Sequence, residues 1–288
     1  MTPTLTARFP IAPGSTLLGE IITWTCSGAT VRYSDVIAAL RDADLNESVA
    51  RELAPRPAFT RACKRLSNQR IIRQVAEDES AVKFQFTAES RHDDKFDYEL
   101  ETMLTLDKKT GRVTCPLPGL ATLAQEELDR CISVRTGADL TRIVQKLFEQ
   151  HADLFPIRPQ GGAYFCAVGH TPFVNKVQEL LGRLNGQMLR FPVPAGTPEG
   201  DRSVRDTVAA GLTALIEDHR QAVAQFGEDT REDTLKRAAE RIRTTRLKVE
   251  GYAELLAEEK SRLDRAVIAA QEELRAKVAE LAATPALV

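Results

Sequence analysis

No apolar run in the 288-residue chain approaches the roughly 18 residues that a membrane span requires. Its opening stretch, "MTPTLTARFPIAPGSTLLGEIITWTC", lacks the basic start and long apolar segment of a secretory signal. A membrane partner is therefore not expected, and the expected location is cytoplasmic. Cysteines number five, an odd count, at positions 26, 63, 115, 131 and 166, with no CxxC pair. That spacing excludes a disulfide framework and the usual zinc sites, and it suits a reduced compartment. The four histidines form neither HxxxH nor HExxH, and no GxxxxGK[ST] loop is present, so no metal or cofactor is expected. A net charge of −2 rules out a chain that binds polyanions along its whole length, so any nucleic-acid surface has to be a local patch. Aromatic residues are scarce at 6%, while Ala, Glu, Arg and Leu crowd the last third and favour helix there.

Periodicity organises the rest into an α+β chain. Residues 1–30 read as an irregular arm leading into a strand at "EIITWTC". "YSDVIAALRDADL" places Val36, Ile37 and Leu40 on one helical face behind Ser34 as a cap, and "NESVARELA" follows with Asn46 as cap. Pro55 and Pro57 interrupt that helix. "RPAFTRACKRLSNQRIIRQV" then begins a third, in which Ala58, Phe59, Ala62, Cys63 and Leu66 make a buried stripe. After it the period shortens. "RIIRQV" and "VKFQFTAE" read as strands joined by a turn at "EDES", with Phe84 and Phe86 opposite Lys83 and Gln85. In "FDYELETMLTLD" strict alternation puts Tyr98, Leu100, Thr102, Leu104 and Leu106 on one side, and "KKTGRV" is a hairpin tip around Gly111.

Three short helices followed by a β-hairpin is the order of a winged helix, and roughly residues 31–90 resemble the winged helix-turn-helix families, within a domain of residues 31–116 whose hairpins are extended. That resemblance implies that the third helix occupies the position used for recognition in the major groove. Six cations and no acid lie between Arg56 and Val75. Arg56, Arg61, Lys64, Arg65, Arg70 and Arg73 are candidate phosphate contacts, and Thr60, Asn68 and Gln69 are candidate base readers. The competing reading is a protein-docking module whose basic helix balances the acids at Glu77–Glu79 or meets an acidic partner.

Residues 117–194 read as a small α/β unit with the order α-α-β-α-β. "PIRPQGGAYFCAV" within it resembles a segment of an uncharacterised bacterial and phage-associated family, which implies a mobile-element or antiviral-defence setting without assigning chemistry. Its glycines precede a strand, so they suit a tight turn better than a phosphate loop. His170 is read as helix entry, because no nucleophile or acid accompanies it, and "RHDDKFD" around His92 as an exposed polar loop.

"PVPAGTPEGD" marks a linker centred on residues 195–201. Residues 202–282 then read as a helical hairpin or coiled coil, with 283–288 as a flexible tail. Leu235, Ile242, Val249, Leu256, Leu263 and Ala270 recur every seven residues, a seam for self-assembly. Unbroken, the helix from Thr230 to Leu281 would extend about 75 Å, more than the preceding helix can cover. Either another subunit, the globular body or a partner protein covers the remainder, or the helix breaks at Gly251.

The favoured reading is a non-enzymatic adaptor or sensor. It would bind DNA or a protein partner through the winged-helix-like module, and homo-oligomerise through the C-terminal coiled coil. A dimeric winged-helix transcriptional regulator is the alternative. An enzyme with its site near Gly161, Gly162 and His170 ranks last, since no nucleophile–base pair is evident.

Overall fold

The chain is mixed α and β, and the structure, a computed structural model, describes residues 11, 14–67, 70–92 and 95–283. Residues 1–10 of the expected arm and 284–288 of the expected tail lie outside them. The described residues divide into two units, each built from non-contiguous stretches. One holds residues 26–143 and 183–185. The other holds the described residues up to Thr25, residues 144–182 and those from 186 onward. These bounds differ from the expected division at 116 and 194, and the expected α/β unit is parted within the helix that spans residues 137–151.

In the first unit β2 (Thr30–Arg32) leads into α1 (Tyr33–Asp42), whose Val36, Ala39 and Leu40 are buried. Ser34 does not cap α1, since its hydroxyl donates to Asp35 instead. The expected second helix is only a 3-10 turn at Glu47–Val49, where Asn46 accepts from the Ser48 N–H at 3.0 Å. Next, α2 (Pro55–Arg65) carries its prolines in the first turn, where no N–H is needed. A meander of β3 (Arg70–Glu77), β4 (Ala81–His92), β5 (Lys95–Asp107) and β6 (Val113–Thr114) follows, in that spatial order. Its inner face, with Val82, Phe84, Phe86, Leu104 and Leu106, packs on Ala58, Phe59, Ala62 and Cys63 of α2. The same core takes Leu120, Ala124 and Leu128 of α3 (Pro118–Ser133). Phe59 meets Phe84 edge to face at 5.5 Å. β7 (Val134–Thr136) pairs with β2 and leads to α4 (Gly137–His151).

Alternation breaks once, with consequences. Phe86 pairs with Thr102 but Thr87 pairs with Leu100, so Glu101 is the extra residue of a bulge. A bulge shifts the following side chains to the other face. Thr102, Leu104 and Leu106 therefore point inward as expected, while Leu100 and Tyr98 join Met103 on the outer face.

The second unit is built on an antiparallel sheet in the order β10 (Gln187–Pro194), β1 (Leu17–Thr25), β9 (Tyr164–Ala167), β8 (Phe155–Pro156). Trp24 stacks on Phe148 and Tyr164, and Phe148 meets Phe173 of α5 (Thr171–Arg183) edge to face. The expected linker is mostly structured. β10 runs to Pro194, and α6 (Pro198–Ala224) begins with a proline that suits a first turn.

Two further long helices, α7 (Glu232–Gly251) and α9 (Lys260–Ala283), are separated by the four-residue α8 (Ala253–Leu256). The helix thus breaks at Gly251. Ile242, Val249, Leu256, Leu263 and Ala270 are at most 2% exposed, in one core with Val208 and Leu212 of α6 and Phe165 of β9. Leu235 is half-buried. The seam assigned to self-assembly is therefore covered from within the chain, because α9 doubles back along α6 and α7. Arg220 pairs with Glu273 at 2.6 Å and His219 bonds Thr245 at 2.9 Å across these helices.

Leu263→Ala should cost about 2–5 kcal/mol, the range for emptying a filled core position. Val278→Ala, at a site 40% exposed on the same helix, should stay within about 0.5 kcal/mol. Urea denaturation of the two variants checks the contrast.

Candidate functional site

Helix α2 turns its apolar stripe into the core, which leaves its cations at the periphery. Most of them already have carboxylate partners. Arg56 meets Glu77 at 2.7 Å and donates to Gln74, and Arg61 meets Asp139 at 2.9 Å. Arg65 meets Glu127 at 3.2 Å, and Arg70 donates to Glu101, the bulge residue, at 2.7 Å. Hydrogen bonds from Arg56, with Lys108 adding a second, hold the Glu77 carboxyl down at about 2. Thr60 returns its hydroxyl to the Arg56 carbonyl at 3.3 Å. Lys64 and Arg73 are exposed, with no ion pair among the described residues. Asn68 and Gln69 lie outside the described residues, as do Asp93 and Asp94 of the polar loop. Burial pushes the Cys63 thiol up to about 12, so it is a core residue and not a nucleophile.

A phosphate approaching α2 would have to displace carboxylates from arginines that are already satisfied. Counterion release scales with the number of phosphates neutralised, and two unpaired cations make a small electrostatic footprint.

On the outer face of the meander the balance reverses. Met103, Leu100 and Tyr98 are 37, 58 and 57% exposed. By register they stand opposite Gln85, Thr87 and Glu89 on β4. One row of large apolar groups thus runs along β5 beside a polar row on β4. The bulge that produces it leaves no mark in the alternation, which is why the sequence placed Tyr98 and Leu100 on one side with Leu104 and Leu106.

A second constellation lies inside the other unit. Asp153, 2% exposed, follows α4 and receives the Tyr252 hydroxyl at 3.1 Å. Lys248 Nζ stands 2.6 Å from Asp153 Oδ1, and His170 Nε2 stands 3.5 Å from Oδ2. Burial by itself would raise this carboxyl, but His170 and the Lys248 cation outweigh it and hold it at about 2. Desolvation, with Asp153 beside it, drives the Tyr252 phenol well above its ordinary value. Lys248 and Tyr252 lie four apart on one helical face, and Asp153 interrupts the apolar run Ala152–Phe155. Those were the sequence signals for the cluster.

Tyr252 also lines a cleft of about 310 Å³ with Leu18, Arg205 and Leu255, but Asp153, His170 and Lys248 are not among its walls. Gly161 and Gly162, at φ +71° and +86°, form the expected tight turn, and the Gly162 carbonyl accepts from Thr23 at 2.6 Å. The cluster therefore ties the end of α7 to the loop after α4. No group of three His, Cys, Asp or Glu suited to a metal occurs among the described residues, and none of their helices is long and apolar enough to cross a membrane.

The chain belongs to the family of unknown function DUF6744, whose profile matches residues 17–286. No curated protein and no solved structure matches it.

Because the Asp153 carboxyl is depressed when folded, its contribution is complete above the unfolded value of about 4 and is lost as pH falls towards about 2. Wild-type stability should fall across that window more steeply than that of Asp153→Asn. The variant should also cost about 3 kcal/mol at neutral pH, since it leaves Lys248 unpaired. Denaturation at a series of pH values measures both.

Proposed function

We propose that the chain is a non-enzymatic adaptor that docks a partner protein on the outer face of strands β4 and β5. The observation that carries this reading is the row Tyr98, Leu100 and Met103, three large side chains exposed on one face of a sheet. Aromatic residues and methionine are the types enriched where proteins meet, and an apolar row with a polar rim is the anatomy of such a contact. Arg73 on β3 and Glu89 on β4 supply opposite charges at that rim. The partner surface this face suits is thus mainly apolar and close to neutral. The internal pairing of Arg56, Arg61, Arg65 and Arg70 favours a protein partner over DNA, because those charges are already spent. A mobile-element or antiviral-defence setting rests on the resemblance of the segment from Pro156 to Val168 and on nothing else.

Full-length protein recovered from its native cells with a cross-linked partner should lose at least about 90% of that partner when Tyr98→Glu and Leu100→Glu are combined, a loss of about 1.4 kcal/mol or more. Lys64→Glu, on α2 and away from that face, should retain it. Steeply salt-dependent DNA binding that Lys64→Glu weakens and the Tyr98→Glu/Leu100→Glu pair leaves intact would replace this reading with nucleic-acid recognition.

A further inference from the structure

With the heptad seam spent inside the chain, the question of self-association moves to another surface. Strand β10 ends the four-stranded sheet, and its outer side pairs with no strand among the described residues. Leu189 and Phe191 are 48 and 53% exposed on that strand, beside Thr23 and Ile21 of β1. An edge with open donors and acceptors is a template for another strand, and proteins usually blunt it with lysine, proline or a bulge. Between Gln187 and Phe191 none of these devices is present, and the strand pairs with β1 there without a register shift. Proline enters only at Pro192 and Pro194, where it removes the donors and limits pairing to the five residues before it.

The chemistry of those five residues selects the occupant. Their one charge is Arg190, which is satisfied within its own chain. It donates to Glu20 at 2.8 Å, to Asn175 at 2.6 Å and to Gln178 at 2.9 Å. A foreign strand bearing charges would find no counter-charge here, whereas a second copy brings none to match. Antiparallel pairing about a two-fold axis at Leu189 would set this residue against its own counterpart and each Phe191 against a Gln187. Each Arg190 would face a Met188 rather than the other Arg190, so no like charges stand opposite one another in this two-fold pairing of one patch with itself. We propose that two copies of this chain pair through the Gln187–Phe191 segments of β10, joining their sheets edge to edge.

Sedimentation velocity of the full-length chain across a concentration series, together with oxidative cross-linking, tests this. Wild type is expected to be a dimer, and Leu189→Lys a folded monomer with an unchanged far-ultraviolet circular dichroism spectrum. Leu189→Cys should cross-link to completion under mild oxidation, because facing residues of paired strands lie within disulfide reach. Leu117→Cys, exposed but away from β10, should stay uncross-linked. A wild type that is monomeric throughout overturns the proposal. So does a dimer that persists in Leu189→Lys. Should Leu189→Lys fail to fold, the cysteine pair decides alone, and absence of the Leu189→Cys cross-link overturns it.

Discussion

A single buried carboxylate sits where the C-terminal helices have to reverse. Asp153 holds Lys248 and Tyr252, the last turn of α7 and the residue just past it, against the loop that follows α4. Gly251 lies between those two anchors, and mid-helix glycine costs about 1 kcal/mol relative to alanine. The chain is thus both weak and pinned at one place. Beyond it α9 returns along α6 and α7, and the sevenfold ladder from Ile242 to Ala270 ends up inside the molecule. A ladder of this kind is indifferent to who covers it, since burying apolar area is favourable whichever surface does so. The break and its anchor make the cover internal.

Charge, too, is covered from within the chain. The basic segment around α2 reads from the sequence as a surface offered outward, yet four of its arginines are paired with Glu77, Asp139, Glu127 and Glu101. Two of those acids come from other strands of the meander and two from α3 and α4. What the two units present instead is apolar: the Tyr98–Met103 row on one, and the Leu189–Phe191 edge on the other. Exposed pairs of the Arg–Glu kind contribute little to stability. Their consequence here is that the arginines are occupied.

Much of this was legible in the residues themselves. The stripe of α2, the Phe84–Phe86 face, the tip at Gly111 and the glycine turn before β9 follow from periods of 3.6 and 2 and from positive φ. The α+β class followed from the same periods. What escaped had a physical reason in each case. The bulge at Glu101 reversed Tyr98 and Leu100 without disturbing the written alternation. "NESVARELA" carries helical spacing, but only the turn at Glu47–Val49 forms before Pro55 ends the run. Partners of Arg61 and Arg65 lie more than 60 residues away, where no local pattern points. The linker reading failed because prolines suit both an edge strand and a first helical turn, and "PVPAGTPEGD" uses them for both.

The reversal of the C-terminal ladder is the claim on which the two apolar surfaces gain their importance, and one distance tests it. Spin labels at Arg237 near the start of α7 and Val278 near the end of α9, in full-length protein diluted with unlabelled chain, report the separation by pulsed electron resonance. An unbroken helix would hold those positions about 60 Å apart. The account requires a single population at less than half that distance, unchanged by dilution. A population near 60 Å would contradict it and return the seam to the role of an assembly surface.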